Sequence, residues 1–388
     1  MQTVLSSRSL PNKKSVRAPL RWQAMDAAAI EAAVCSPRIG GLDFLRAMAV
    51  LFVMWGHATE GHFALLPGLA GLGVKIFLVL SGFLISRLLL DEFAASGRID
   101  FLGFYRRRIA RLMPAFYLFI GTGIGVALLR RHTVPWAAIL SSVLYVTNYY
   151  QAFTGAQTNL VSHCWSLSVE EQFYLLWPML ASFLLRRKAN VARALALIVL
   201  AVWCWRWFLL ACTDASFHYL YRALETRADE LATGCLLACL VRSSVWRTRL
   251  AAVLRVPGLG LLLVAMVLAL PAMDSFGTAF RYGFVFVVEP PMIALLVLIT
   301  VVASTGEGFV ARLLGNRFAV HVGQISYGIY LFHGLVGYTA QRLVEQRSGS
   351  LWLGVAVNFI AVIAFASASF RWFETPMRRW ISSGAARH

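Results

Sequence analysis

Apolar runs long enough to cross a bilayer follow one another along most of the chain, separated by short polar loops. A crossing needs roughly 17 to 25 predominantly apolar residues. Runs of that kind lie near 43–60, 71–91, 110–129, 165–185, 192–212, 229–242, 257–273, 282–303, 324–341 and 351–371. The pattern predicts an all-α, polytopic bundle of about ten transmembrane helices. A further apolar run at 136–150 is short and ends in YVTNYYQ, so it reads either as a brief eleventh span or as an interfacial or re-entrant piece.

Charge decides between these topologies. If 136–150 does not cross, the basic loops at 87–111, 186–193, 242–255 and 312–317 share a side with the basic N-terminal segment and the tail from Arg371. Of the 36 Lys and Arg residues, 26 then fall on that side and 8 on the other, with Arg46 and Arg206 inside spans. The positive-inside rule makes the crowded side cytoplasmic, which puts both termini inside. Were 136–150 to cross, every later basic loop would switch sides, so ten spans are preferred.

Composition agrees: 59% of the 388 residues are hydrophobic, 14% are charged, and mean hydropathy is +0.68. A net charge of +18 does not indicate nucleic acid, because the basic residues form short clusters between apolar runs and no basic groove on a soluble domain is present. The six cysteines show no paired metal-ligand spacing, so they read as packing thiols and no metal site is expected. Residues 1–38 carry six basic residues and no continuous apolar core of a signal peptide, and are expected to be a disordered cytoplasmic lead-in. The domain plan is therefore a membrane domain at 39–380 with a cytoplasmic tail at 381–388.

Polar groups inside these spans call for an explanation, because charge at bilayer depth is expensive. Arg46 and His57 are eleven positions apart in LDFLRAMAVLFVMWGHATEG, about three helical turns, so they share a face roughly 16 Å apart along the axis. Packing and snorkelling are the plain account; one cavity reached from both ends is the sharper one. The stretch SHCWSLSVEEQFYLLWP places Glu170 and Glu171 early in the fourth span. At a depth similar to His57, either could orient the imidazole as a general base, although glutamates also complement a helix N-terminus.

At the other end, FYRRRIARLMPAFY puts Arg108 and Arg111 on one helix face, where their guanidinium forks could grip the phosphates of a donor such as coenzyme A. Topology alone would also account for them. Ser81 and Gly82 form a small pair in the second span that admits a neighbouring backbone or a thin ligand. ISYGIYLFH brings Tyr327, Tyr330 and His333 into a late span, His333 standing evenly between packing and chemistry. YRALETRADELATG sets Arg222, Glu225, Arg227, Asp229 and Glu230 at an outer boundary, as a solvated ion-pair cluster or a polar acceptor site.

In this order the stretches resemble the membrane acyltransferase family 3, whose members O-acylate surface polysaccharides, lipids and macrolides. The resemblance spans about 39–380. It is carried by Arg46 and His57, by Phe77 to Ile85, by Arg108, Arg111 and Pro114, by Trp165 to Tyr174, by Ser326 to His333, and by Glu374 and Pro376. Lys75 departs from it, standing where an acidic or neutral residue is usual, and so bears on the charge of the outer mouth; Leu78 replaces a frequent Phe.

The resemblance implies a multi-pass protein of the inner (plasma) membrane and an acyltransferase of the class EC 2.3.1.-. The donor would be cytosolic acyl-CoA, most often acetyl-CoA, and the acceptor hydroxyl would sit at the outer face on a polysaccharide, glycolipid or small molecule. On that view His57 is the base, Glu170 or Glu171 orients it, and Arg46, Arg108, Arg111, Ser81, Gly82 and Tyr327 line the donor's path. The rival is a proton-coupled transporter or flippase with His57 and the glutamates as a relay. It is disfavoured because no paired halves are visible in the chain.

Overall fold

The computed structural model describes residues 26–36, 39–60, 68–158 and 160–383. Every regular element among them is helical. In chain order they are α1 (Ala27–Cys35), α2 (Gly40–Ala58), α3 (Leu69–Ser96), α4 (Phe101–Leu129), α5 (Trp136–Val143), α6 (Thr147–Thr154), α7 (Cys164–Arg186), α8 (Val191–Cys212), α9 (Phe217–Arg222) and α10 (Leu224–Leu240). There follow α11 (Ser244–Leu254), α12 (Leu259–Ala269), α13 (Thr278–Phe280), α14 (Phe286–Ala303), α15 (Phe309–Leu314), α16 (Arg317–Gln324), α17 (Ser326–Phe332), α18 (Tyr338–Ser348), α19 (Leu351–Ser369) and α20 (Thr375–Ser383).

Among the described residues, six helical stretches are long and apolar enough to cross a membrane: Gly41–Ala58, Leu69–Ser96, Phe101–Leu129, Val191–Cys212, Thr278–Ala303 and Leu351–Ile381. The α11–α12 pair, bent by 84°, makes a seventh if it counts as one span. Several other expected spans are helices of a different kind. α7 covers 165–185 but carries Glu170, Glu171 and Gln172, and α10 is 17 residues long with Arg227, Asp229 and Glu230 inside it. The expected span at 324–341 divides into α17, a π turn at His333–Gly337 and the start of α18. The run at 136–150 forms parts of two eight-residue helices, α5 and α6, parted near Tyr145 at φ 53°. Each is about 12 Å long, too short to cross.

Of the lead-in, 27–35 form a helix instead of lacking structure, because Asp26 caps it (Oδ1 accepts from Ala29 N at 2.7 Å) and Ile30, Ala33 and Val34 find buried sites. The remaining expectation for that segment, and residues 384–388 of the tail, lie outside the described residues.

α3 stands at the centre, its apolar window 72% buried, while the corresponding windows of α8 and α19 are 28% buried and turn side chains such as Leu197, Leu200 and Ile360 outward. Two features set how closely α3 sits on its neighbours. A Cβ at Gly82 would lie 2.0 Å from the Leu231 carbonyl oxygen, and one at Gly234 would lie 2.0 Å from that of Val79, so α3 and α10 cross backbone to backbone. Gly82 is thus turned to α10, away from the face that Ser81 presents.

The second feature is a set of charges with no access to solvent. Arg206 on α8 grips Asp229 on α10 through two bonds of 3.0 and 2.7 Å, and also donates to the carbonyls of Thr226 and Phe286. Lys75 on α3 pairs with Glu289 on α14, and Arg227 lies 3.1 Å from Glu230. Arg206, Arg227, Asp229, Glu230 and Glu289 are all fully buried. This corrects the expectation of a solvated cluster or acceptor site in 221–234: helical phase turns Arg227, Asp229 and Glu230 into the bundle, where Arg227 stacks 4.7 Å over Phe286. Lys75 likewise carries no charge to an outer mouth, since Glu289 answers it inside. Glu225 instead accepts from Tyr149 (2.6 Å) and Tyr219, whose phenol is pushed up to about 12, by burial first and then by that carboxylate.

Removing one member of such a pair strands the other. Glu289→Ala should therefore lower stability by about 3–5 kcal/mol, read as a fall in thermal unfolding midpoint in detergent. The double change Lys75→Met with Glu289→Leu should recover most of it.

Candidate functional site

Two chambers open at opposite ends of the bundle, and the residues singled out from the sequence divide between them. The first, about 240 Å³, is lined by Arg46 (α2), Ser81 (α3), Arg108 and Arg111 (α4), Glu170 (α7) and Tyr327 (α17), with apolar side chains between them. It adjoins a recess of about 320 Å³ that shares Arg46, Arg111 and Tyr327 and adds Asp43, Glu374 and Arg378. The second chamber, about 930 Å³, lies at the other end, where His57, Glu60, Arg130, His132, Tyr338 and Arg342 face it.

In the arginine chamber each carboxylate is already engaged. Glu170 Oε1 accepts from the Ser81 hydroxyl and from Tyr174 OH at 3.2 Å. Arg108 donates to Glu171 Oε1 at 3.2 Å while its guanidinium lies 3.4 Å over the Tyr174 ring. Arg46 is 3.8 Å from Asp43. The positive charge is thus partly answered, yet Arg108 keeps a buried Nε without a hydrogen-bond partner, a spare donor in a planar fork suited to phosphate.

At the histidine end, His57 in the last turn of α2 pairs with His333, Nδ1 to Nε2 at 3.1 Å. The His333 Nδ1 lies 2.6 Å from the Tyr330 carbonyl. His333 is set by the π turn between α17 and α18, a local widening that re-aims the side chain it begins with. The His163 ring stands edge-on to His333, centroids 5.0 Å apart, and its carbonyl accepts from Tyr330 OH at 2.9 Å. Ser166 Oγ lies 2.7 Å from the same Tyr330 oxygen. Ser166 and Tyr330 line the arginine chamber and His57 lines the other, so this thin polar layer is the wall between them.

His57 and the glutamates are therefore not paired. α7 begins at Cys164, and His163 just before it already packs on His333 at the level of His57. Glu170 comes seven residues later, about 10 Å further along the helix, and so falls into the arginine chamber. Arg46, Ser81, Arg108, Arg111, Glu170 and Tyr327 are brought together there; Glu171 lies behind Arg108, His57 faces the opposite chamber, and Gly82 packs on α10.

Residues 39–371 match the sequence profile of the acyltransferase-3 domain. The chain belongs to that acyltransferase family. Among its relatives, YrhL of Bacillus subtilis is 31% identical over 88% of this chain and 55% of its own length. The O-acetyltransferase OatA of Staphylococcus aureus is 27% identical over 89% of this chain and 58% of its own length. The peptidoglycan O-acetyltransferase OatA of Listeria monocytogenes is 28% identical over 88% and 56%. The chain thus spans little more than half the length of these relatives. No solved structure matches it.

Sequence reasoning passed over His163 and Tyr174, although both stand inside the motif that singled out the glutamates. Their signal is spacing: Tyr174 follows Glu170 by four, one helical turn, and His163 precedes the first turn. The Tyr330 hydroxyl joins Ser166 to the His163 carbonyl across the wall. Tyr330→Phe should cost about 0.5–1.5 kcal/mol by removing the phenol's bonds and leaving Ser166 only its 3.4 Å bond to the His163 carbonyl, measured as thermal stability. Combined with Ser166→Ala it should cost less than the sum of the two single changes.

Proposed function

We propose that this membrane protein is an O-acyltransferase, moving an acyl group, acetyl first, from cytosolic acyl-CoA to a hydroxyl of a surface glycan or related acceptor at the opposite face. The observation that carries the reading is two chambers at opposite ends of one bundle, arginine-lined and histidine-lined, parted by a polar layer of Tyr330, Ser166, His163 and His333. The relatives' names make peptidoglycan one acceptor to try.

On this reading the chain makes about ten crossings of the plasma membrane with both termini in the cytoplasm, as the distribution of Lys and Arg favours. Residues 39–380 form the membrane domain, with the flanking segments cytoplasmic. Arg108, Arg111 and Arg46 hold the donor's phosphates at the cytoplasmic chamber, and the pantetheine arm runs past Ser81 and Tyr327 toward Tyr330. Gly82 serves this path indirectly, by keeping α3 close to α10. For the thioester to reach His57, side chains of the wall have to rotate aside.

His57 then takes the proton of the acceptor hydroxyl as its oxygen attacks the thioester carbonyl. The tetrahedral intermediate collapses with expulsion of the CoA thiolate, which recovers the proton from the imidazolium. Glu170 and Glu171 act on the donor side, setting the positions of Ser81, Tyr174 and Arg108, and not as partners of His57. A carrier would also use two chambers and a thin wall, and labelled acetyl-CoA separates the two readings, because a carrier moves the acceptor without attaching label.

Purified protein in lipid discs should transfer label from acetyl-CoA to the acceptor. His57→Ala should slow transfer by about 10²–10⁴ with thermal stability near wild type; a folded His57→Ala protein transferring at the wild-type rate would falsify the assignment. Arg108→Ala should raise KM for acyl-CoA roughly tenfold or more, the worth of a charge-assisted hydrogen bond.

A further inference from the structure

The hydrogen bonds around His333 allow one consistent placement of protons. A backbone carbonyl accepts and never donates, so the 2.6 Å contact to the Tyr330 carbonyl puts a proton on His333 Nδ1. His333 is buried among rings of histidine and tyrosine and has no carboxylate bonded to it, surroundings in which an unpaired charge is costly. A neutral imidazole carries a single ring proton, so His333 Nε2 is a bare acceptor. The nitrogen facing it at 3.1 Å, His57 Nδ1, is then the donor. The remaining nitrogen is His57 Nε2, on a residue that faces the large chamber, and the Val53 carbonyl one turn back on α2 also accepts from the His57 ring.

We propose that His333 is a positioning residue that fixes the tautomer of His57, holding the proton on Nδ1 and leaving Nε2 as the base. The proposal rests on the reading of His57 as that base. A base presented as the wrong tautomer is inactive, however well placed its ring, because the nitrogen facing the acceptor already carries a proton. The contact also responds to the reaction. When His57 accepts a proton at Nε2, the bond from Nδ1–H to His333 becomes charge-assisted and strengthens, so His333 favours the protonated state over the resting one. The Tyr330 carbonyl holds the protonated side of the His333 ring away from His57, and the His163 ring packs edge-on beside it at 64°. The arrangement does what a carboxylate does for the histidine of a Ser-His-Asp triad, with a neutral acceptor in place of the charge.

The test uses the full chain in lipid discs with His333→Gln, whose carboxamide oxygen can stand near the Nε2 position, and His333→Leu, which fills the space without an acceptor. ¹⁵N spectra of histidine-labelled protein, with the His57 signals assigned by their loss in His57→Gln, should show Nδ1 protonated and Nε2 bare in wild type. His333→Leu should give mixed tautomers and His333→Gln should restore the wild-type pattern. In acetyl transfer, kcat should fall about a hundredfold in His333→Leu, within the range of general base effects, with KM for both substrates nearly unchanged and most of the loss recovered in His333→Gln. A bare Nδ1 on wild-type His57, or a tautomer indifferent to His333→Leu, overturns the proposal, as does His333→Gln behaving no better than a folded His333→Leu. The spectra judge the relay without reference to catalysis, whereas retained activity in His57→Ala would overturn the base assignment alone.

Discussion

Charge enclosed in an apolar bundle has to be answered by opposite charge or by hydrogen bonds, and that requirement ties together the helices packed behind the chambers. Arg206, Asp229, Lys75, Glu289, Arg227 and Glu230 link α8, α10, α3 and α14 behind the site. Replacing such pairs by apolar residues is often neutral or stabilising, so their presence is not explained by stability alone. What they do fix is register: a bidentate Arg206–Asp229 pair tolerates little sliding of α10 along α8, and the Gly82–Gly234 crossing carries that register to α3. α3 then presents Ser81 to Glu170 from a defined position.

The same requirement orders the site itself. Glu170 is held by two hydroxyls, Glu171 by Arg108, and Arg108 by the Tyr174 ring beneath it. A donor phosphate entering there would meet donors already oriented and would exchange one anionic partner for another. Beyond Tyr330 the composition changes: the wall is imidazole, phenol and hydroxyl, groups that can pass a proton or rotate without uncovering a permanent charge. The division into a charged chamber and a neutral wall fits the reaction proposed, in which phosphates stay at one end and a neutral thioester advances.

Much of this was legible in the sequence. The helical period alone put Arg46 and His57 on one face, and the cluster from Arg106 to Arg111 marked the end opposite His57. Depth was not legible. Nothing in WSLSVEEQFY says that His163, just before α7, is already at the level of His57, so the glutamates lie about two turns from the expected depth and the Glu–His pair does not form. Burial of charge was equally hidden: ETRADE reads as a solvated edge because partners on α3, α8 and α14 are far away in sequence. Lys75 looked anomalous for the same reason, since Glu289 is 214 positions distant. Hydropathy alone also cannot tell a helix that turns its charges inward, such as α10, from one that faces lipid throughout.

His57 bonds to a neutral histidine and not to a carboxylate, with Glu60 facing the same chamber three residues on, and this bears on how strong a base it can be. A glutamate in contact would hold the imidazole ready but would also stabilise its protonated form at rest, and a base already protonated removes no proton. A neutral histidine as the partner avoids this: it fixes orientation and tautomer, adds little charge stabilisation until the proton has moved, and acts most strongly when the developing imidazolium needs it. The cost is that His333 must itself be locked, since either of its nitrogens could face His57. The Tyr330 carbonyl provides that lock one turn back on α17, and the π turn that begins at His333 supplies the backbone geometry by which a single residue meets both partners at once.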